Sequence, residues 1–367
     1  MQYREYGKTG DKVSVLGFGA MRLPKLGKRL DVDLSVDILR RAFDLGVNFV
    51  DTAAVYDWGQ SESIVGKAIQ GRRDQVFVST KNHYKKESSD EWQAHLDKSL
   101  ERLGVDYIDF YHLHAVRWSV YRRLSRPGET FERLWKAKQE GLIRHACFSS
   151  HDQPKNIVKL IDSGAFDGML VQYNLLDRVN EEVIAYAHEK GMGVAIMGPV
   201  GGGRLAPPSE RIQGMLRGAA STPEIALRFV LSNPHVTLAL SGMGTFDMVE
   251  ENVATASREE PLSEGERQQV LQALEETQRL LDLYCTGCRY CMPCPNYVNI
   301  PENLAAMNDY RVWGLEGPAR ERYARLGRRK WTWAEACTEC GECEPKCPQN
   351  IPIRQRLKET VAALGRG

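Results

Sequence analysis

VDILRRAFDLGVNFVD, residues 36–51, contains the unit from which the first part of the chain is built. Val36, Leu39 and Phe43 recur at the three- and four-residue spacing of one helix face, and a short apolar run, 48–51, follows with strand character. The same pairing recurs along the chain on either side. Short apolar runs lie at 15–18, 48–51, 76–79, 107–114, 143–148, 169–172, 193–197 and 236–240, with amphipathic stretches at 36–45, 91–103, 131–140, 181–190 and 223–231. Strict alternation of strand and helix implies right-handed parallel units, and eight strands in ~250 residues is the size of a closed α/β barrel, the (β/α)8 or TIM barrel. A doubly wound sheet would open with GxGxxG after its first strand. Here Gly17, Phe18 and Gly19 are followed by Met21, Arg22 and Leu23, with no third glycine.

The 367 residues are 42% hydrophobic and 26% charged, the balance of a folded chain with room for about two domains. No uncharged apolar run approaches the ~18 residues of a spanning helix. The opening MQYREYGKTG carries charges at Arg4, Glu5 and Lys8 instead of the apolar stretch of a secretory signal. The expectation is a cytoplasmic protein with no membrane partner. A net charge of +1 is too even to point to nucleic acid. That charge is unevenly divided: from Tyr284 onward 13 Lys+Arg face 9 Asp+Glu, a surplus of +4, against −3 for the residues before.

Eight of the nine cysteines share this basic tail, in two runs: Cys285, Cys288, Cys291 and Cys294, then Cys337, Cys340, Cys343 and Cys347. In a reducing compartment such runs bind metal. The second, CTECGECEPKCP, fits CxxCxxCxxxCP, the signature of a cubane 4Fe-4S cluster. Three thiolates at i, i+3 and i+6 wrap one corner of a cubane and leave the fourth ligand remote, whereas tetrahedral zinc prefers two separated CxxC pairs. The first run, CTGCRYCMPCP, is one residue shorter before its last cysteine. If the crossed ligation of two-cluster ferredoxins applies, one cluster takes Cys285, Cys288, Cys291 and Cys347, and the other Cys337, Cys340, Cys343 and Cys294. The helix-prone segment 302–336 between the runs suggests a mainly helical ferredoxin-like module. Before it, Ser263 and Glu266 form a capping box at the start of a helix over 264–283. The expected division is a barrel over 1–262, a connecting helix over 263–283 and an iron–sulfur domain over 284–367.

In a barrel, chemistry collects at the C-terminal ends of the strands. Polar residues there are Asp51 with Tyr56 five residues later, Lys81, His114, Ser149 with Ser150, and Gln172 with Asn174. Singly, each serves equally well as a cap, a solvated charge or a buried histidine. Together, Asp, Tyr, Lys and His from separate segments aim at one mouth. His112, two residues before His114, reads as a hydrogen-bonded interior residue, and Cys147 as a small buried one.

Residues 1–260 resemble an aldo-keto reductase. The stretches that carry the likeness are GKTGDKVSVLGFGAMRLP, NFVDTAAVYDWGQSESIVGKAI, FVSTKNH, LGVDYIDFYHLHAV, VQYNLLDR and GMGTFDMVEENV. The resemblance implies a catalytic tetrad of Asp51, Tyr56, Lys81 and His114, an extended nicotinamide cofactor, and reduction of a small-molecule carbonyl to an alcohol. Free tyrosine, with a pKa near ~10, is a poor acid at neutral pH, and a lysine held by a carboxylate favours its phenolate. The same likeness assigns cofactor contacts to Ser149, Ser150, Gln172, Met197, Gly198, Gly201, Gly203, Ser241, Gly242, Met243, Glu251 and Asn252. Where many members place cations for the 2′-phosphate of NADP, this chain has Gly242, Met243 and Met248, so NAD(P) is expected without strong selectivity; Arg204 is the substitute cation to consider. Trp58, His83, Tyr84 and Trp118 are candidates to line the mouth, and the segment 116–128, with Arg117, Arg122, Arg123 and Arg126, reads as a solvated loop. The tail is similar to the ferredoxin-like tails of a subset of the family.

Hydride moves two electrons and a cubane one, and no flavin motif is present to split the pair. The clusters are thus assigned to electron transfer with a redox protein partner, to redox sensing or to structure. The competing function is a redox-sensing or electron-carrier subunit whose barrel binds nucleotide without turnover.

Overall fold

In the computed structural model, which describes residues 1–82, 89–126, 130–280, 285, 289–328, 332–348 and 350–365, eight parallel strands close on themselves. In chain order they are Leu16–Gly19, Phe49–Asp51, Phe77–Asn82, Ile108–Leu113, Ile143–Ser150, Gly168–Gln172, Gly193–Met197 and Leu238–Ser241. Each pairs with its neighbours in sequence, and the last returns to the first with Ala239 opposite Leu16 and Ser241 opposite Phe18. Strands covered on both faces are rich in apolar residues, and all six residues of Ile108–Leu113 are buried, Asp109 and His112 included. The helix Val32–Asp44 starts at Asp31, whose carboxylate accepts from the Leu34 N–H at 3.1 Å. It buries Val36, Ile38, Leu39, Ala42 and Phe43, each large apolar side chain contributing roughly 1.5–3 kcal/mol.

A short antiparallel hairpin, Tyr3–Glu5 with Lys12–Ser14, precedes the barrel and lays Tyr6 across its floor. The Tyr6 ring is fully buried, with its centroid 4.4 Å from that of Phe110. Gly193 and Gly168 make room for it, because a Cβ at either would lie 2.1 or 2.4 Å from the tyrosine ring. The floor is therefore filled by aromatic packing, and the polar strand ends lie at the opposite face.

By internal contacts the chain forms two compact units, Met1–Gly202 with Ala226–Leu262, and Gly203–Ile225 with Ser263–Gly367. Segment 203–225 follows the seventh barrel strand in sequence, yet it groups with the tail. Ser209 Oγ donates to the Trp313 carbonyl at 2.6 Å, Arg211 Nη1 to the Val312 carbonyl at 2.8 Å, and Arg204 lies 3.6 Å from the buried Asp309 carboxylate. The second unit is helical: Glu264–Leu280, Ile300–Arg311, Glu316–Arg325 and Ile353–Leu364. The capping box forms, with Glu266 N–H on Ser263 Oγ at 3.3 Å and Ser263 N–H on Glu266 Oε2 at 2.9 Å. Among the described residues no helix is long and apolar enough to cross a membrane.

Candidate active site and thiol clusters

Asp51 ends the second barrel strand and Lys81 lies one residue before the end of the third. Lys81 Nζ donates to Asp51 Oδ2 at 2.5 Å and to the Thr52 carbonyl at 2.7 Å, and both charged side chains are buried. Burial opposes the ammonium charge, but the Asp51 carboxylate, helped by the Tyr56 oxygen, outweighs it and holds Lys81 above its ordinary range. Lys81 is therefore a permanent cation. Tyr56 opens the turn Tyr56–Gly59, with Lys81 Nζ 5.2 Å from its ring centroid. His114, just beyond the fourth strand, meets the Tyr56 ring edge-on, with centroids 6.2 Å apart and planes at 88°. The turns that present these two rings carry left-handed backbone at Asp57, Trp58 and Ala115, with φ of 44°, 61° and 55°, the kind of strain that persists at functional sites. The four residues are thus brought together at the mouth.

Ser149 and Ser150 end the fifth strand but differ. Ser149 Oγ accepts from the Ala115 N–H at 2.8 Å, whereas Ser150 donates to the Val116 carbonyl at 2.7 Å and accepts from the Asp152 N–H at 3.1 Å. The Ser150 hydroxyl is committed to the fold, so only Ser149 offers a proton to a ligand. Gln172 lies against Gly198, whose φ is +64°; a Cβ there would sit 2.8 Å from both polar atoms of the Gln172 amide. That glycine keeps the amide open. Half-buried Met197 precedes it. Gly201, Gly202 and Gly203 all have positive φ, and Arg22 donates to the Gly202 carbonyl. Asn252 Nδ2 donates to Ser241 Oγ at 3.1 Å, and a Cβ at Gly242 would lie 3.5 Å from the Gly19 carbonyl oxygen. Met243 is fully buried, leaving its backbone as the part that can reach a ligand, while Glu251 is exposed. An open amide, a free hydroxyl and glycine turns with backbone N–H groups suit a carboxamide and a pyrophosphate.

Arg204 is engaged by Asp309. Within the segment 116–128, expected as a solvated loop, Trp118–Leu124 forms a helix whose Trp118 N–H donates to Asp152 Oδ2 at 3.0 Å; residues 127 and 128 lie outside the described residues. Trp58 is 93% exposed and Trp118 stacks on Tyr121, with centroids 5.8 Å apart. His83 and Tyr84 lie outside the described residues. Cys147 is fully buried, which pushes its thiol far above the ordinary range and removes it as a nucleophile.

In the second unit Cys291 and Cys294, from the first run, line one hollow with Cys337, Cys340 and Cys343, from the second. Burial, then Glu344, Cys337 and Cys294, push the Cys343 thiol up to about 11. Cys285 and Cys347 pack on the same small core of Ile300, Leu304, Ile351 and Leu357, and Asn308 Nδ2 donates to the Cys285 carbonyl at 3.2 Å. Cys288 lies outside the described residues. Among those residues no three Cys, His, Asp or Glu side chains converge as a single-ion site. The donor set is all sulfur, and thiols from both runs meet around one hollow, as cubane ligation requires.

The aldo/keto reductase family profile matches residues 15–275, and a 4Fe-4S dicluster domain matches 284–351. L-galactose dehydrogenase of Arabidopsis thaliana is 31% identical over 302 residues, covering 75% of this chain and 93% of the plant protein. NADH-specific methylglyoxal reductase of Escherichia coli is 28% identical over 301 residues, covering 68% and 91%. Among solved structures, the holo form of aldo-keto reductase AKR11C1 from Bacillus halodurans superposes with a TM-score of 0.65 at 30% identity, covering 74% of this chain and 96% of its own. Eight parallel strands with a Lys–Asp pair and a tyrosine at their mouth agree with these likenesses, and the chain belongs to the aldo/keto reductase family of oxidoreductases, with a C-terminal 4Fe-4S dicluster domain.

Proposed function

We propose that the barrel, residues 1–262, reduces an aldehyde or ketone to an alcohol with NAD(P)H, or runs the reverse reaction. The supporting observation is the buried Asp51–Lys81 pair at 2.5 Å, set against Tyr56 and His114. When bound, the nicotinamide supplies the hydride. Negative charge then builds on the carbonyl oxygen, and Tyr56 delivers the proton to it while His114 orients it. Lys81 stabilises the phenolate left behind, and Asp51 keeps Lys81 charged and in place. Ser149 and Gln172 hold the carboxamide, and the turns at 201–203 and 241–244 meet the pyrophosphate. With Gly242, Met243 and Met248 at the adenosine end and Arg204 engaged elsewhere, a strong preference for the 2′-phosphate is not built in. The relative named for NADH-specific methylglyoxal reduction supports a small carbonyl substrate.

We further propose a connecting segment over 263–283, helical at Glu264–Leu280, and a ferredoxin-like domain, 284–367, that holds two 4Fe-4S clusters in the crossed arrangement, for electron exchange with a redox protein partner, redox sensing or structure. Anaerobically purified protein should then contain about eight iron and eight sulfide per chain; four of each, or zinc, refutes that ligand set. For the barrel, Tyr56→Phe should abolish NAD(P)H oxidation against a panel of aldehydes and ketones, and retained turnover overturns the catalytic assignment.

A further inference from the structure

Beneath the Asp51–Lys81 pair lies a second hydrogen-bonded pair that the four-residue site does not account for. Asp51 Oδ1, the oxygen that Lys81 does not bond, accepts from Ser79 Oγ at 2.8 Å, and Ser79 Oγ lies 3.3 Å from His112 Nδ1. Ser79 is 0% and His112 1% exposed. Ser79 precedes Lys81 by two residues on one strand and His112 is paired with Lys81 across the next, so pleating turns both inward with the lysine.

Counting protons sets the direction of the chain. The Asp51 carboxylate only accepts, so the single Ser79 proton goes to it; Ser79 then has only lone pairs for the imidazole, and His112 must carry its proton on Nδ1. His112 Nε2 is buried with no hydrogen-bond partner. A bare lone pair is tolerated there far better than an orphaned N–H. The groups facing His112 are Lys81 on the third strand, Asp51 through Ser79, the Thr80 and Phe110 backbone, which opposes the downward shift of the ring, His114 on its own segment, and Cys147, opposite on the fifth strand, with Tyr6 beyond it. Burial and then the Lys81 ammonium hold His112 well below the ordinary imidazole range, so it stays neutral.

We propose that Ser79 and His112 are positioning residues for the carbonyl reduction: the chain His112 Nδ1–H to Ser79 O–H to Asp51 clamps one carboxylate oxygen so that the other is aimed at Lys81 and, through it, at Tyr56. The inference rests on the reductase reading above. Without the clamp, Asp51 turns about its terminal bond and Lys81 loses its fixed place under the phenol.

Imidazole nitrogen chemical shifts in full-length protein labelled at histidine, with His112 assigned by its loss in His112→Asn, report the tautomer directly. Nδ1–H is expected in the wild type and a mixture in Ser79→Ala; Nε2–H in the wild type overturns the proposal. In steady-state kinetics with a small aldehyde, Ser79→Ala should lower kcat by roughly 10- to 100-fold, with KM and dinucleotide affinity within about twofold. His112→Leu should match it, and His112→Asn, whose amide N–H replaces Nδ1–H, should restore most of the loss. The double variant Ser79→Ala/His112→Leu should be no worse than either single, since both cut one chain; additive losses overturn the proposal. Should His112→Leu fail to fold, the tautomer and Ser79→Ala still decide. Full activity of Ser79→Ala beside an inactive Tyr56→Phe refutes the clamp alone, whereas an active Tyr56→Phe refutes the reductase reading and the clamp with it.

Discussion

In the barrel, Asp51, Tyr56, Lys81 and His114 arrive from three strands and the turns that follow them, and hydrogen bonds to Thr52 and Ser79 hold the Asp51–Lys81 pair where the fold places it. In the tail, Cys337, Cys340 and Cys343 are neighbours in sequence, and they sit in or beside a small core together with Cys285, Cys291, Cys294 and Cys347. The barrel site is thus a product of a core that exists without it. In the tail Cys291 is part of the core and Cys285, Cys294, Cys337, Cys343 and Cys347 pack against it, so its stability should depend on what they ligate.

The largest effect should follow cluster removal from the intact chain by oxidation and chelation. Metal ligation contributes on the order of 10 kcal/mol to small metal-dependent domains, so limited proteolysis should open the tail, and segment 203–225 with it, while the barrel resists. A tail that stays protected would show that its apolar core suffices. Next is Lys81→Met, which leaves Asp51 as a buried, unpaired carboxylate. It should cost about 3–5 kcal/mol in urea unfolding of the barrel and bring turnover below detection; an unchanged midpoint would mean that the mouth is wetter than its burial implies. The smallest effect is on pH. His112 has its folded pKa lowered from 6.5, so below that value the unfolded chain takes up a proton that the folded one refuses. Stability is fully present above pH 6.5 and falls as pH drops, by at most ~1.4 kcal/mol per unit. His112→Asn should flatten that acid slope, and equal slopes in the two proteins would break the assignment.

The eight strands were legible because each is a short apolar run covered on both faces, and the cysteine runs because cubane ligation is local in sequence. The floor hairpin was not: Tyr3–Glu5 and Lys12–Ser14 are three residues each, too short for a period to show. Nor was the helix Trp118–Leu124, whose first N–H donates to Asp152, a helix and a strand further along the chain. Ser150 stands where many family members have Asn, and its hydroxyl is in use by the Val116 carbonyl, which the sequence could not show. Ser79 carried one available signal, its position two residues before Lys81 on the same strand face.

The amino-acid sequence alone determined the alternation that makes a barrel, the residue types at its mouth and the thiol spacing of the tail, since periodicity and local ligand spacing act within a few residues. The grouping of segment 203–225 with the tail and the place of Ser79 and His112 behind Asp51 came from the folded chain. Those facts depend on strand register and on hydrogen bonds between distant segments, whose partners look no different in sequence from any other serine, histidine or carbonyl.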